Sequence, residues 1–379
     1  MLSLDELLLK KLQKRIEENS FRSLGNSSSF IDFTSNDYLG LARSEELFNL
    51  INAKLESKRI KKNGATGSRL LSGNSDYYEE VEAKLSEVFK GEAALIFNSG
   101  YSANLAIFSS LPQKGDTILY DELAHACIKD GARLSAAIRF SFKHNDMDDL
   151  EQKIKKAPGK IFIAIESIYS MDGDECPIHK LVPLAEKYDA IIIIDEAHST
   201  GIHGENGSGL ATSLALEKKI SIRTYTFGKA MGIHGACVVG SKNLIKYLIN
   251  FARPFIYTTA PSPHHVASID CAFDYLQKNI HLQDLLKQKV NLFSMLTKEL
   301  PNKIQSRSAI QAIIVEGNER IRSVASGLQK EGFDVRPILS PTVQQGSERL
   351  RICLHTYNTE DEIKHLVKSI ISTNQLPQK

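Results

Sequence analysis

The chain has 379 residues, of which 42% are hydrophobic and 24% charged, and its formal net charge is +2. That length suits a large domain joined to a smaller one, and the near balance of charge excludes bulk attraction to nucleic acid or membrane as the basis of its function. Five cysteines (Cys127, Cys176, Cys237, Cys271 and Cys353) form no metal-binding spacing and are odd in number, which predicts a reduced, cytoplasmic setting and no metal site. The first segment, MLSLDELLLKKLQKRIEEN, carries charges throughout and lacks the apolar centre and cleavage site of a signal peptide. No apolar run approaches the ~18 residues of a membrane-spanning helix.

In chain order, Leu2 to about Asn19 has leucines at helical spacing, and Ile31–Thr34 reads as a short strand before the turn-rich Ser35–Gly40. A glycine-containing loop, Asn63–Arg69, precedes a helix over Tyr77–Phe89. Strands and helices then alternate. Strands are predicted at Ala93–Phe97, Asp116–Tyr120, Ile161–Glu166, Ala190–Ile194, Arg223–Phe227 and Ala236–Gly240. Helices are predicted at Tyr101–Leu111, His125–Ala136 and Ile178–Tyr188. Alternation with continuous apolar strands predicts an α/β fold with a mostly parallel sheet covered on both faces. After Pro261-Ser262-Pro263 a long helical stretch covers His265–Leu300. Strands at Ile310–Val315 and Leu350–Leu354 and helices at Arg320–Glu331 and Glu360–Ser372 complete a small α+β domain. The expected organisation is residues 1–40 packing on the small domain, 41–265 as the large domain and 266–379 as the small one.

Chemistry gathers at strand ends, where ligands bind in parallel sheets. Ile194-Asp195-Glu196-Ala197-His198 places two acids and a histidine after a buried strand. A desolvated aspartate there needs a cationic partner. The protonated pyridine nitrogen of pyridoxal phosphate (PLP) is one candidate. A metal ion, as in nucleic-acid motors carrying the letters DEAH, is another, but such a motor requires a GxxxxGK[ST] phosphate loop. Here Gly228-Lys229 is followed by Ala230, and Arg223 stands where the first glycine belongs. Lys229 follows a short apolar strand and is flanked by Gly228 and Gly232. A partly desolvated lysine has a lowered pKa and can attack an aldehyde; a surface lysine in a turn is the plain alternative. Asn98-Ser99-Gly100-Tyr101 sits between strand and helix, where free amides and the helix dipole favour an anion. His125 follows a strand and could stack on a flat ring or serve structure alone. Ser170 is a candidate donor to a cofactor, and Asp172-Gly173 reads as a tight turn, because the ligand spacing of a calcium loop is missing. Arg351 lies within a strand, suited to a carboxylate or to an internal salt bridge.

Taken together, NDYLGL (36–41), GATGSRLLSG (64–73), NSGYSAN (98–104), DELAHA (121–126), ESIYSMDGD (166–174), IDEAHSTGIHGENGSG (194–209), TFGKAMG (226–232) and SPTVQQGSERLRI (340–352) resemble the α-oxoamine synthase family of fold-type I PLP enzymes, in the family's order and across nearly the whole chain. The resemblance implies that Lys229 holds PLP as a Schiff base and removes the α-proton of an amino acid, that Asp195 pairs with the pyridinium nitrogen, and that His125 stacks on the ring. It implies that Ser170 and His198 sit near the ring hydroxyl, with His198 also available to polarise a thioester, and that Thr226 with the Gly100 and Tyr101 backbone holds the phosphate. Thr258 and Thr259 resemble the segment that reaches the neighbouring subunit's phosphate, which implies a homodimer. Asn36 and Arg351 would address the substrate carboxylate.

Within the family, SAIQAIIV (308–315) and RPILSPTV (336–343) are most similar to the branch that condenses L-alanine with a pimeloyl thioester, carried by coenzyme A or a carrier protein, on the route to biotin. By the same likeness Arg22 and Thr342 would contact substrate. Two positions depart from the family pattern: Tyr78 stands where histidine is usual, and Ala260 replaces a small hydroxyl residue. The alternatives are sister condensations of glycine with acetyl-CoA or succinyl-CoA, or of serine with a long acyl chain, and a non-catalytic partner subunit.

Overall fold

In the computed structural model, the described residues are 3–24 and 29–374; Leu2, the expected start of the first helix, lies outside them. The described strands are β1 (Ile31–Asp32), β2 (Ala93–Phe97), β3 (Thr117–Asp121), β4 (Ile138–Phe142), β5 (Ile161–Glu166), β6 (Ile191–Asp195), β7 (Ile222–Thr226), β8 (Ala236–Gly240), β9 (Ile310–Ile314), β10 (Phe333–Asp334), β11 (Arg336–Ile338) and β12 (Arg349–Cys353). The chain divides into two compact units. The larger comprises Asn36–Ser170 and Glu175–Asp284; the smaller comprises Met1–Ser35, Met171–Asp174 and Leu285–Lys379. The sequence reading set a boundary near residue 265, whereas backbone proximity groups the helix Pro263–Lys278 with the larger unit.

The larger unit is built on a seven-stranded sheet of order β2-β8-β7-β6-β5-β3-β4. Neighbours from β7 to β4 run parallel, and β8 is antiparallel to both β2 and β7. Side chains of a strand alternate between faces. Ile193 belongs to one core cluster, with Phe162, Ala164 and the helix Gly100–Ser110, while Ile192 and Ile194 belong to another, with Ile163, Ile165 and the helix Ile178–Lys187. The run of four isoleucines therefore follows from burial on both faces, and it delivers Asp195 to the strand's carboxyl end. Pro261-Ser262-Pro263 acts as helix punctuation: the Ser262 hydroxyl accepts from His265 N–H, and proline fills the first turn, where its missing donor is harmless. The long helical stretch expected over residues 265–300 is two helices, Pro263–Lys278 and His281–Leu296, parted at Asn279, whose side chain caps the Tyr275 carbonyl at 3.0 Å.

The smaller unit has a three-stranded antiparallel sheet, β11-β12-β9, and the two-residue pair β1-β10. Its core joins Phe33 to Ile313, Leu350, Ile352 and the helices Asn318–Lys330 and Glu360–Asn374. The excursion Met171–Asp174 is tied into this unit by a buried Arg349–Asp172 ion pair and by Ser306 Oγ, which donates to the Gly173 carbonyl at 2.8 Å. Among the described residues no helix is long and apolar enough to cross a membrane.

Arg223, the position that rules out a phosphate loop, is a structural cation. It is 2% exposed, and its Nη1 donates to the Phe89 carbonyl at 2.6 Å and to Tyr225 Oη at 2.8 Å. It thus neutralises the carboxyl end of the helix Asp76–Val88. Replacing it by alanine strands that carbonyl and opens a cavity. Arg223→Ala is expected to cost about 3 kcal/mol, read as a lower urea midpoint with an unchanged denaturant slope.

Candidate active site

The ends of β5 and β6 lie side by side, with Glu166 and Asp195 in register. Asp195 is 5% exposed, and both its oxygens accept hydrogen bonds: Oδ2 from Asn104 Nδ2 at 2.6 Å and Oδ1 from Ala197 N–H at 2.9 Å. Two donors thus fix the plane of the carboxylate. Glu166 is fully buried, and burial, reinforced by the Asp195 charge, pushes its carboxyl up to about 8. Lys229 opposes that shift, so its ammonium lies within electrostatic reach of the same pair. Lys229 itself is half-buried, after β7. Lys229 and Asp195 therefore both lie within electrostatic reach of Glu166.

His125 caps the start of the helix Ala126–Leu134. Its backbone N–H donates to Glu166 Oε1 at 2.6 Å. Its ring Nδ1 accepts Cys127 N–H at 3.2 Å and lies 2.9 Å from Cys127 Sγ. The imidazole has one open side, but the protein packed around the rest lowers its pKa; the Asp195 charge raises it and the Lys229 charge lowers it. With Nδ1 an acceptor, the neutral ring carries its proton on Nε2. Burial also pushes the Cys127 thiol well above its usual range.

Gly100 opens the helix Gly100–Ser110, with Ser99 and Ser102 forming a reciprocal cap. The amides of Gly100 and Tyr101 belong to the first turn and have no intrahelical acceptor. A Cβ on Gly100 would stand 2.1 Å from Thr226 Oγ1, so glycine lets the helix start close on the end of β7. The resulting cradle of backbone amides and a threonine hydroxyl is suited to a phosphate group. Tyr101 turns its hydroxyl to Asp130 and sets its ring edge-on to His125, with centroids 6.4 Å apart. Asn98 Nδ2 reaches the Thr259 carbonyl at 3.1 Å, which brings the Thr258-Thr259 segment beside the same strand end within one chain.

On another side, His198 is buried, and its Nδ1 lies 2.8 Å from Tyr38 Oη, which donates to Asn36 Oδ1 at 2.9 Å. With that proton on Asn36, His198 Nδ1 is the donor, and Nε2 of the neutral ring is an acceptor. Asn36 then offers Nδ2 as its donor end. Ser170 is buried at the end of the larger unit's first segment. Glu196, the second acid of the strand-end run, is structural: its carboxylate accepts from Leu210 and Ala211 N–H at 2.9 and 2.8 Å and from the Ser199 hydroxyl.

In the smaller unit, Arg22 and Thr342 are brought together although far apart in sequence: Arg22 Nη2 donates to Thr342 Oγ1 at 2.8 Å. Arg351 is half-buried on β12, with Nη1 3.0 Å from Cys353 Sγ. Both departures from the family pattern are accommodated. The Tyr78 hydroxyl donates to the Pro261 carbonyl, and Ala260 donates its N–H to the Gly67 carbonyl at 2.9 Å while packing on Gly73. Asn104, Cys127, Glu166 and Tyr38 were not singled out from sequence. Asn104 falls one helical turn after Gly100, a spacing that puts both on one face, and Glu166 ends a wholly apolar strand; these were the available signals.

A family model described as Aminotransferase class I and II matches residues 28–370. The 8-amino-7-oxononanoate synthase of Emericella nidulans is 38% identical over 375 residues, covering 93% of this chain and 91% of that protein. The 8-amino-7-oxononanoate synthase of Francisella tularensis has a solved structure similar to this one, with a TM-score of 0.79 at 30% identity, covering 92% of this chain and 98% of that chain. A serine palmitoyltransferase structure holding PLP as the internal aldimine gives a TM-score of 0.88 at 26% identity, covering 98% of this chain and 97% of that chain. The α/β architecture expected of a fold-type I enzyme is thus the one the chain adopts, and the chain belongs to the class I and II aminotransferase family.

Proposed function

We propose that the chain is a PLP-dependent acyltransferase that joins L-alanine to a pimeloyl thioester, releasing carbon dioxide and the free thiol and leaving 8-amino-7-oxononanoate, a precursor of biotin. The observation that carries the reading is the gathering of Lys229, Asp195 and His125 at the strand ends of a chain whose relatives are named for that synthesis. The residues fit the cofactor. The Gly100 cradle, which a Cβ would fill, suits its phosphate, with Thr226 contributing a hydroxyl. Asp195, its oxygens already fixed by two donors, suits its ring nitrogen. Lys229 would hold its aldehyde, and His125, exposed but with its pKa lowered by the protein packed against the ring, offers a flat face. When bound, PLP supplies an electron sink for the charge that develops at the amino-acid Cα.

The chain's own residues then divide the work. The Lys229 amine takes the Cα proton and later returns one to the product carbon. The Asp195 carboxylate, held by Asn104 and the Ala197 amide, keeps a cation fixed beside it, which favours the charge-separated transition state over the ground state. His198 in its neutral form presents Nε2 as an acceptor, suited to a ring hydroxyl shared with Ser170; polarising a thioester carbonyl requires it protonated. Asn36 Nδ2 and the Arg351 guanidinium are the proposed donors to the alanine carboxylate, and Arg22 with Thr342 the proposed contacts for the acyl substrate. Coenzyme A and a carrier protein present the same pantetheine thioester to these groups.

The reading includes a cytoplasmic homodimer. All five cysteines are buried free thiols. Tyr257, beside Thr258 and Thr259, is 72% exposed, and Leu71 is 84% exposed, as surfaces awaiting a second copy would be. One rival has an observation in its favour: fold similarity is greater to the serine palmitoyltransferase than to the Francisella enzyme. The higher sequence identity lies with the synthases acting on the shorter acyl chain.

Incubated with PLP, pimeloyl-CoA and single amino acids, the purified protein is expected to yield the amino ketone, detected by mass, from L-alanine. Product from glycine or serine but not from alanine would defeat the substrate assignment. Lys229→Ala and Asp195→Asn should each lower turnover about 10³-fold, with far-ultraviolet circular dichroism unchanged. Glu166 supplies a pH test. Its folded-state pKa is raised from 4.5 to about 8, so between those values the folded chain holds a proton that the unfolded chain has lost. Its contribution to stability therefore falls as pH rises through that window. Glu166→Gln, which cannot titrate, should raise the melting temperature of the cofactor-free protein more at pH 8 than at pH 5.5; an equal effect at both would contradict a protonated Glu166.

A further inference from the structure

Asn104 is 1% exposed and reaches two groups with one nitrogen. Its Nδ2 donates to Asp195 Oδ2 at 2.6 Å and to Cys127 Sγ at 3.3 Å, while its Oδ1 has no hydrogen-bond partner in the protein. Leaving an amide oxygen unmatched in a core is unfavourable. An apolar residue would fill the space without that penalty, so the donor end of Asn104 is the part that the fold uses. The contacts have a direction. Ala197 N–H holds Asp195 Oδ1, so a second donor at Oδ2 fixes the carboxylate plane. Cys127 accepts from Asn104 at sulfur and in turn lies 2.9 Å from His125 Nδ1, the nitrogen that already accepts Cys127 N–H. A thiol proton directed at Nδ1 leaves Nε2 as the ring's own donor.

We propose that Asn104 is the positioning residue of the site, fixing Asp195 directly and the angle and tautomer of His125 through Cys127. This rests on the reading that Asp195 pairs with the cofactor's ring nitrogen. A hydrogen bond donated to a carboxylate fixes its orientation. Removing Asn104 leaves Oδ2 without its donor and frees the carboxylate plane to turn about the oxygen held by Ala197. It should not change how alanine is bound, because Asn104 is assigned no substrate contact.

The test uses the full chain reconstituted with PLP. Three quantities are read: the visible absorbance of the lysine-bound cofactor, the rate at which alanine exchanges its Cα hydrogen in deuterated water without thioester, and the KM for alanine in that exchange. In Asn104→Ala the exchange rate is expected to fall about 10- to 100-fold, the size of one lost hydrogen bond to a carboxylate, with the visible absorbance maximum displaced from that of the wild type and the KM for alanine within about twofold of the original. Cys127→Ser, which keeps a donor for Nδ1, should stay close to the wild type, and Cys127→Ala should fall between. Asn104→Ser, too short to reach Asp195 yet smaller and polar, should repeat the Asn104→Ala result if the alanine variant folds poorly. An unchanged absorbance maximum and exchange rate in both Asn104 variants would overturn the proposal while leaving Lys229 and Asp195 in their roles. A wild-type chain that never develops the visible absorbance would instead remove the cofactor reading beneath it.

Discussion

A carboxylate buried at the end of a parallel strand organises this molecule. Asp195 sits where an unpaired charge would be costly, and its surroundings are arranged to hold it still. Asn104 and the Ala197 amide hold its oxygens. Burial, with the Asp195 charge added to it, raises the neighbouring Glu166, which stays protonated near neutrality and so adds no second negative charge. The Lys229 ammonium lies close enough to lower that same carboxyl. Two acids, one of them held neutral by its surroundings, and one amine thus share a small volume.

The sheet makes this arrangement possible. Parallel order from β7 to β4 aims several strand ends at one side, and alternation of core residues between two clusters fixes their register. The helix Gly100–Ser110 then crosses those ends, with Gly100 closed against Thr226 and Asn104 against Asp195. A single helix thereby presents free amides at its start and a positioning amide one turn later. His125 is exposed, yet the protein packed against its ring lowers its pKa from the ordinary value, so the neutral form is favoured at physiological pH.

Much of this was legible in the sequence where burial writes a pattern. The isoleucine run of β6 and the apolar β5 could be read because both their faces are covered. Lys229, Asp195 and His125 stood out because each follows such a strand. By contrast β4 escaped notice: Ile138-Arg139-Phe140-Ser141-Phe142 alternates apolar and polar residues, but the strand lies at the sheet edge with four of its five residues exposed, so it lacks the continuous apolar run that marked its neighbours. The helices Glu45–Ser57, Met147–Ile154 and Lys242–Phe251 were missed among charged residues, since each buries only two side chains. Asn104 and Cys127 were unreadable as site residues for another reason. Their roles depend on which atoms meet across β6 and two helices, and no spacing in one dimension encodes that. The pairing of Arg22 with Thr342 was likewise reachable only through family likeness.

The account turns on where the aldehyde of PLP attaches. Borohydride reduction of the protein incubated with PLP, followed by proteolysis and mass spectrometry, would locate the bond. The account predicts one stoichiometric pyridoxyl group on the peptide containing Lys229, abolished in Lys229→Ala. Label spread over surface lysines, or none at Lys229, would contradict it.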